Sequence, residues 1–170
     1  MEKTEFTLSN GVTVPAGVFG TYKAADGKSA DVIGMAIEAG YRCFDTASFY
    51  GTEGYLAEAV ERSGIPREEF FITSKLWKDE MGYENAKEAF HRSLERLKTD
   101  YLDMYLIHWP LPDPECRDWK ELDVETWRAL EELYREGKVR AIGLSNFLPH
   151  HIENILAHCT VAPMADQLEY

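Results

Sequence analysis

No run of apolar residues in this 170-residue chain approaches the roughly 20 needed to cross a bilayer. The opening MEKTEFTLSN lacks the apolar core of a secretory signal. Cysteine is scarce. Cys43, Cys116 and Cys159 are odd in number and widely spaced, so they show neither a disulfide framework nor metal-ligand spacing, and a reducing cytoplasm is the expected location. Positive charge is also thin: 18 Lys and Arg stand against 30 Asp and Glu, a formal net charge of -12. Neither nucleic acid nor an anionic membrane surface would meet a basic patch here. No low-complexity tract appears. No G-x-G-x-x-G follows the first apolar run either; the nearest stretch, GVFGTYK, has two glycines and no clear helix start behind it. A dinucleotide-binding open sheet would carry that fingerprint.

Hydrophobic residues make up 45% of the chain, enough for one well-packed domain spanning residues 1–170. FTLSNGVTV alternates apolar and polar residues on both sides of Asn10-Gly11. That dipeptide suits the positive φ angles of a tight turn and predicts a β-hairpin over 5–14. Short apolar runs then recur near 17–21, 41–45, 70–75, 102–107, 138–143 and 164–168, with five helix-periodic stretches between them. In ENAKEAFHRSLERL, the positions Ala86, Ala89, Phe90, Leu94 and Leu97 share one face. DVETWRALEELYREGK places Trp127, Leu130, Leu133 and Tyr134 similarly, with Gly137 as its stop. Gly40 and Gly64 read as stops of the two earlier helices, and Pro149-His150-His151 as the start of a fifth. PLPDPECRDWKELD is the one long, Pro-rich loop.

Strand and helix alternating every ~25 to 35 residues means βαβ units and a parallel sheet. LDMYLIH and VRAIGLS are apolar on both faces, as a sheet covered on both sides requires. Chemically capable residues follow several different strands, which is how a (β/α)8 barrel builds its site. The fold class expected is therefore α/β, of the (β/α)8 barrel type.

Asp45, Lys75, His108 and Ser145-Asn146 stand at successive strand ends, with Gln167 in the sixth strand and Tyr50 just past Asp45. Each has a bland reading alone: a turn cap, a snorkelling lysine, a satisfied core histidine. Together they fit proton donation to a carbonyl during hydride transfer. Tyrosine, with a pKa near ~10, is a poor acid unless a cation favours its ionised form. Lys75 is expected to supply that cation and Asp45 to hold Lys75, while His108 orients the carbonyl oxygen.

DTASFYG, FFITSKLW, LDMYLIHWP, VRAIGLSNF and DQLEY, in this order, resemble the aldo-keto reductase family across essentially the whole chain. The resemblance implies a (β/α)8 barrel that reduces aldehydes or ketones with NADPH, or with NADH. It implies a catalytic tetrad of Asp45, Tyr50, Lys75 and His108. Gly20, Thr21 and Tyr22 resemble the first nicotinamide-side loop, and Ser145, Asn146 and Gln167 resemble the carboxamide-binding residues. Tyr22, Phe49, Trp77, Trp109 and His108 match positions that wall the substrate pocket, although plain aromatic packing explains Phe49 equally well.

Three departures carry expectations of their own. Gly17 precedes Val18 where the family reads apolar then glycine, which predicts a shifted first strand. Asp166 stands where the family has Asn, and its side chain is expected on the strand face opposite Gln167. The chain stops at Tyr170, inside the sixth strand of a barrel that needs eight and typically ~250 residues. Two open edges near 17–22 and 164–170 are then expected to invite self-association. The alternatives are a catalytically idle remnant and a nicotinamide-binding subunit on the same half-barrel. A metal-dependent hydrolase is disfavoured, because the five histidines include no H-x-H pair at a strand end, and no metal is expected. His150-His151 reads as solvated surface.

Overall fold

Alternation around Asn10-Gly11 folds into an antiparallel pair, β1 (Glu5–Thr7) and β2 (Thr13–Pro15), with Phe6 opposite Val14. The computed structural model that shows this describes residues 5–24 and 29–169. The turn is longer than the dipeptide predicts. Leu8 N–H donates to Val12 O at 2.8 Å and Gly11 N–H to Leu8 O at 2.9 Å, leaving a three-residue loop in which Gly11 alone takes positive φ, +85°. The cause lies in Asn10. Its Oδ1 accepts the Val12 N–H, and its Nδ2 donates to the Arg140 carbonyl at 2.9 Å. The loop is thereby pinned to a distant strand.

Six parallel strands follow in chain order and lie side by side in that order: β3 (Val18–Gly20), β4 (Cys43–Asp45), β5 (Phe71–Leu76), β6 (Leu102–Ile107), β7 (Val139–Ser145) and β8 (Asp166–Gln167). Between them run α1 (Ser29–Glu38), α2 (Glu53–Ser63), α3 (Tyr83–Leu97), α4 (Trp119–Arg135) and α5 (Pro149–Leu156). The sheet is a curled parallel half-barrel of the (β/α)8 type. The first strand keeps to the expected run despite Gly17, pairing Val18 with Cys43 and Gly20 with Asp45. α4 begins four residues before the DVETW stretch. The Leu122 N–H finds the Asp118 carbonyl, and Trp119 packs edge-on against His151. β8 is shorter than its apolar run, although Met164 N–H and Leu144 N–H continue the pairing at 3.0 and 2.9 Å.

Apolar faces are buried where periodicity puts them. Ala86, Ala89, Phe90 and Leu97 of α3 and Trp127, Leu130 and Leu133 of α4 join the core between helices and sheet, while Leu94 and Tyr134 sit at its margin. A second, smaller cluster lies on the inner face of the sheet, where Cys43, Phe71, Met104, Leu106 and Ala141 meet Leu8, Val12 and Val14 of the hairpin segment. Strand residues two apart share a face. The inner face therefore runs from Cys43 to Asp45, from Phe71 through Thr73 to Lys75, and from Met104 through Leu106 to His108. Each strand starts apolar beneath the hairpin and ends polar. Among the described residues no helix is long and apolar enough to cross a membrane.

Candidate active site

Polar ends of neighbouring strands converge because the strands are in register. Asp45 on β4 is the register partner of both Gly20 on β3 and Thr73 on β5, and Lys75 pairs with Leu106. Lys75 Nζ, almost wholly buried, donates to Asp45 Oδ1 at 2.5 Å and to the Thr46 carbonyl at 3.1 Å. Tyr50 ends a 3-10 turn, Ser48–Tyr50, that Gly51 closes in the left-handed region at φ +67°. The turn swings the Tyr50 ring over Lys75 Nζ, 5.1 Å from the ring centre, and brings its hydroxyl to 3.4 Å from His108 Nε2. All four tetrad positions thus meet around one point.

Charge and burial set the protonation states. Burial, joined by the charges of Lys75 and Lys78, pushes the His108 imidazole down to about 4, so the ring is neutral. Burial also pushes the Lys75 ammonium down, against the pull of Asp45. The Tyr50 phenol is pushed up to about 12, first by burial and then by the Asp45 and Tyr22 charges. The direction is opposite to the lowering expected from Lys75 as a cation that favours the ionised form. Asp45 sits against Lys75 and offsets its field, and burial disfavours the anion. Tyr50 holds its proton.

The residues singled out for the nicotinamide end surround the same point. Gln167 Nε2 donates to Asp45 Oδ2 at 3.0 Å, and Ser145 Oγ donates to the Gln167 carbonyl at 3.0 Å. Asn146 takes positive φ, +61°, and turns its Nδ2 to the His108 carbonyl at 2.9 Å. Its amide is thus held beside the tetrad. Thr21 N–H and Oγ1 both donate to the Asp45 carbonyl, which ties the first loop to β4. As alternate residues on β8, Gln167 faces Asp45 and Asp166 lies opposite. Asp166 Oδ1 is buried without a partner among the described residues, and burial raises its pKa. Side-chain amides and a hydroxyl offer both donors and acceptors, a set that fits a carboxamide.

Aromatic rings line the mouth. Tyr22 packs on Tyr50 at 4.8 Å between centres, Phe49 stacks on Trp77 at 3.9 Å, and Trp77 meets His108 edge-on at 4.9 Å. Phe49 remains 54% exposed, so its stacking does not bury it as core packing would. Trp109, 39% exposed, lies under Lys78. His151 differs from expectation. It is buried, and its Nδ1 accepts the Leu148 N–H at the start of α5.

Sequence reasoning passed over the carboxylates behind the site. Glu80 Oε2 accepts from Ser48 Oγ at 2.5 Å and from Trp77 N–H at 2.8 Å, and Arg92 reaches Oε1. One side chain therefore ties the Tyr50 turn to the Trp77 loop. Glu53, 1% exposed, joins Ser74 Oγ to Arg96 directly behind Lys75. Glu80 lies three residues after Trp77, the spacing of a side-chain cap on a first turn, and that spacing was its one visible sign.

The family model for the aldo/keto reductase family matches residues 17–170. The chain belongs to that family. It is 46% identical to glyoxal reductase of Bacillus subtilis over 169 residues, 99% of this chain and 58% of that protein. The crystal structure of an aldo/keto reductase from Brucella melitensis superposes with a TM-score of 0.91 at 39% identity, covering 98% of this chain and 63% of that one. A Bombyx mori aldo-keto reductase in complex with NADP gives 0.89 at 30% identity, covering 100% and 59%. The chain spans somewhat over half the length of these aldo/keto reductases.

Proposed function

We propose that this aldo/keto reductase chain carries the proton-transfer half of an NAD(P)H-dependent reduction of aldehydes and ketones to alcohols. The observation that carries the reading is the meeting of the Tyr50 hydroxyl and His108 Nε2, 3.4 Å apart, above the buried Lys75–Asp45 pair. A carbonyl oxygen between those two atoms accepts hydrogen bonds from both. His108, neutral with its proton on Nε2, orients the oxygen. Tyr50 gives up its proton as negative charge builds there, and the ammonium beneath its ring stabilises the phenolate left behind. Ser145, Asn146 and Gln167 hold the carboxamide and decide which ring face points at the carbonyl. The nicotinamide, when bound, supplies the hydride to the carbonyl carbon. Support for NADPH or NADP as the partner comes from solved family members that hold NADPH and NADP.

NADPH oxidation by the purified chain with a small aromatic aldehyde, beside Tyr50→Phe, tests the reading. The expected result is turnover that falls at least about a hundredfold in the variant. Equal rates in the two proteins would overturn the role of Tyr50. Nicotinamide binding without turnover in either would favour the alternative, a binding half-barrel with an idle tetrad.

A further inference from the structure

Lys78 is a cation at the mouth that the reductase reading leaves unused. It opens the short 3-10 turn after β5 and is only partly exposed. Its Nζ lies 5.0 Å from the centre of the Trp109 ring and 5.7 Å from that of Trp77. Two indoles from different loops therefore hold the head group. Trp77 touches His108 in turn, so the ammonium is anchored to the wall of the tetrad.

Among the described residues no carboxylate neutralises it. Among the described residues Lys78 makes no salt bridge, although acidic residues far outnumber basic ones. Asp79 beside it is exposed and unpaired, and Glu80 is committed to Ser48, Trp77 N–H and Arg92. Indole faces attract an ammonium but leave its charge in place. A partly dehydrated cation with no counter-ion favours an anion, and the net charge of -12 disfavours a dianion more than a monoanion.

We propose that Lys78 is a specificity-determining residue that selects carbonyl substrates bearing a carboxylate, with the carbonyl oxygen at Tyr50 and His108 and the carboxylate at Lys78 Nζ. This rests on the reductase reading for its carbonyl end and on the loop geometry alone for its carboxylate end. Indole fluorescence during titration with benzoate and with benzamide reads the carboxylate end without turnover. Benzoate is expected to bind about tenfold more tightly than benzamide, a preference lost in Lys78→Met and kept in Lys78→Arg. NADPH oxidation with 4-carboxybenzaldehyde and its methyl ester should show the same preference in kcat/KM, again lost in Lys78→Met. Equal binding of benzoate and benzamide, or a preference that survives Lys78→Met, overturns the proposal. Lys78-dependent benzoate binding without oxidation of NADPH by any aldehyde would overturn the reductase reading and leave the carboxylate subsite standing.

Discussion

Asp123 lies on α4 with both carboxylate oxygens buried and unpartnered among the described residues. Burial alone pushes its pKa up to about 8. The folded chain therefore binds a proton that the unfolded chain has already released above pH ~4, so stability must fall as pH rises towards 8. His108 acts with the opposite sign. Its depressed pKa costs stability as pH falls below ~6.5, where the unfolded imidazole takes a proton first. Between pH ~6.5 and ~8 the Asp123 effect stands clear of it. Urea denaturation across that window should show a loss of about 2 kcal/mol that Asp123→Asn abolishes. Parallel curves for the two proteins would mean that Asp123 is solvated. None of this was legible in the sequence, since an acidic residue at the front of a helix reads as ordinary N-terminal charge. Asp45, Lys75 and His108 were legible because each is a polar residue closing an apolar run, and Tyr50 because it follows Asp45 within five residues. What could not be read was the acidity of Tyr50, which depends on how deeply the ring is buried and on whose side the Asp45 charge falls.

Elements repeat the same lesson. β5, β6 and β7 were visible as apolar runs, and α3 and α4 as 3.6-residue stripes, because burial on known faces leaves a period in the sequence. The hairpin loop and the early start of α4 were hidden, because their partners, Arg140 for Asn10 and His151 for Trp119, lie far along the chain. The β7–β8 junction hides another such contact. A Cβ on Gly143 would stand 2.6 Å from the Ala165 carbonyl oxygen and 2.9 Å from a Leu106 methyl. Backbone cannot yield there without moving β8, and with it the Gln167 amide on Asp45. Gly143→Ala should cost about 2 kcal/mol or more. Gly34→Ala, where nothing lies within 4 Å of the added carbon, should stabilise α1 by about 0.5–1 kcal/mol. Thermal melts of both variants check the pair. A Gly143→Ala protein that melts with the wild type would show that the strands part freely.

At the scale of the whole molecule the half-barrel leaves two parallel edges. Among the described residues β3 pairs with β4 alone and β8 with β7 alone, and Val18 and Leu168 at these edges are 45% and 59% exposed. Unpaired backbone groups beside exposed apolar side chains promote pairing with another chain. A polypeptide of these 170 residues alone is therefore expected to self-associate, with a mass by light scattering that grows with concentration. A monodisperse monomer at millimolar concentration would contradict this. The two-residue alternation that carries each inner face from apolar to polar has a further effect on how such a chain can vary. Losing one residue from the middle of β5 would aim Ser74 or Leu76 where Lys75 now points, with composition and hydropathy hardly changed. Descendants of this sequence can thus trade side chains along their strands with some freedom, while gains and losses of single residues are confined to the loops.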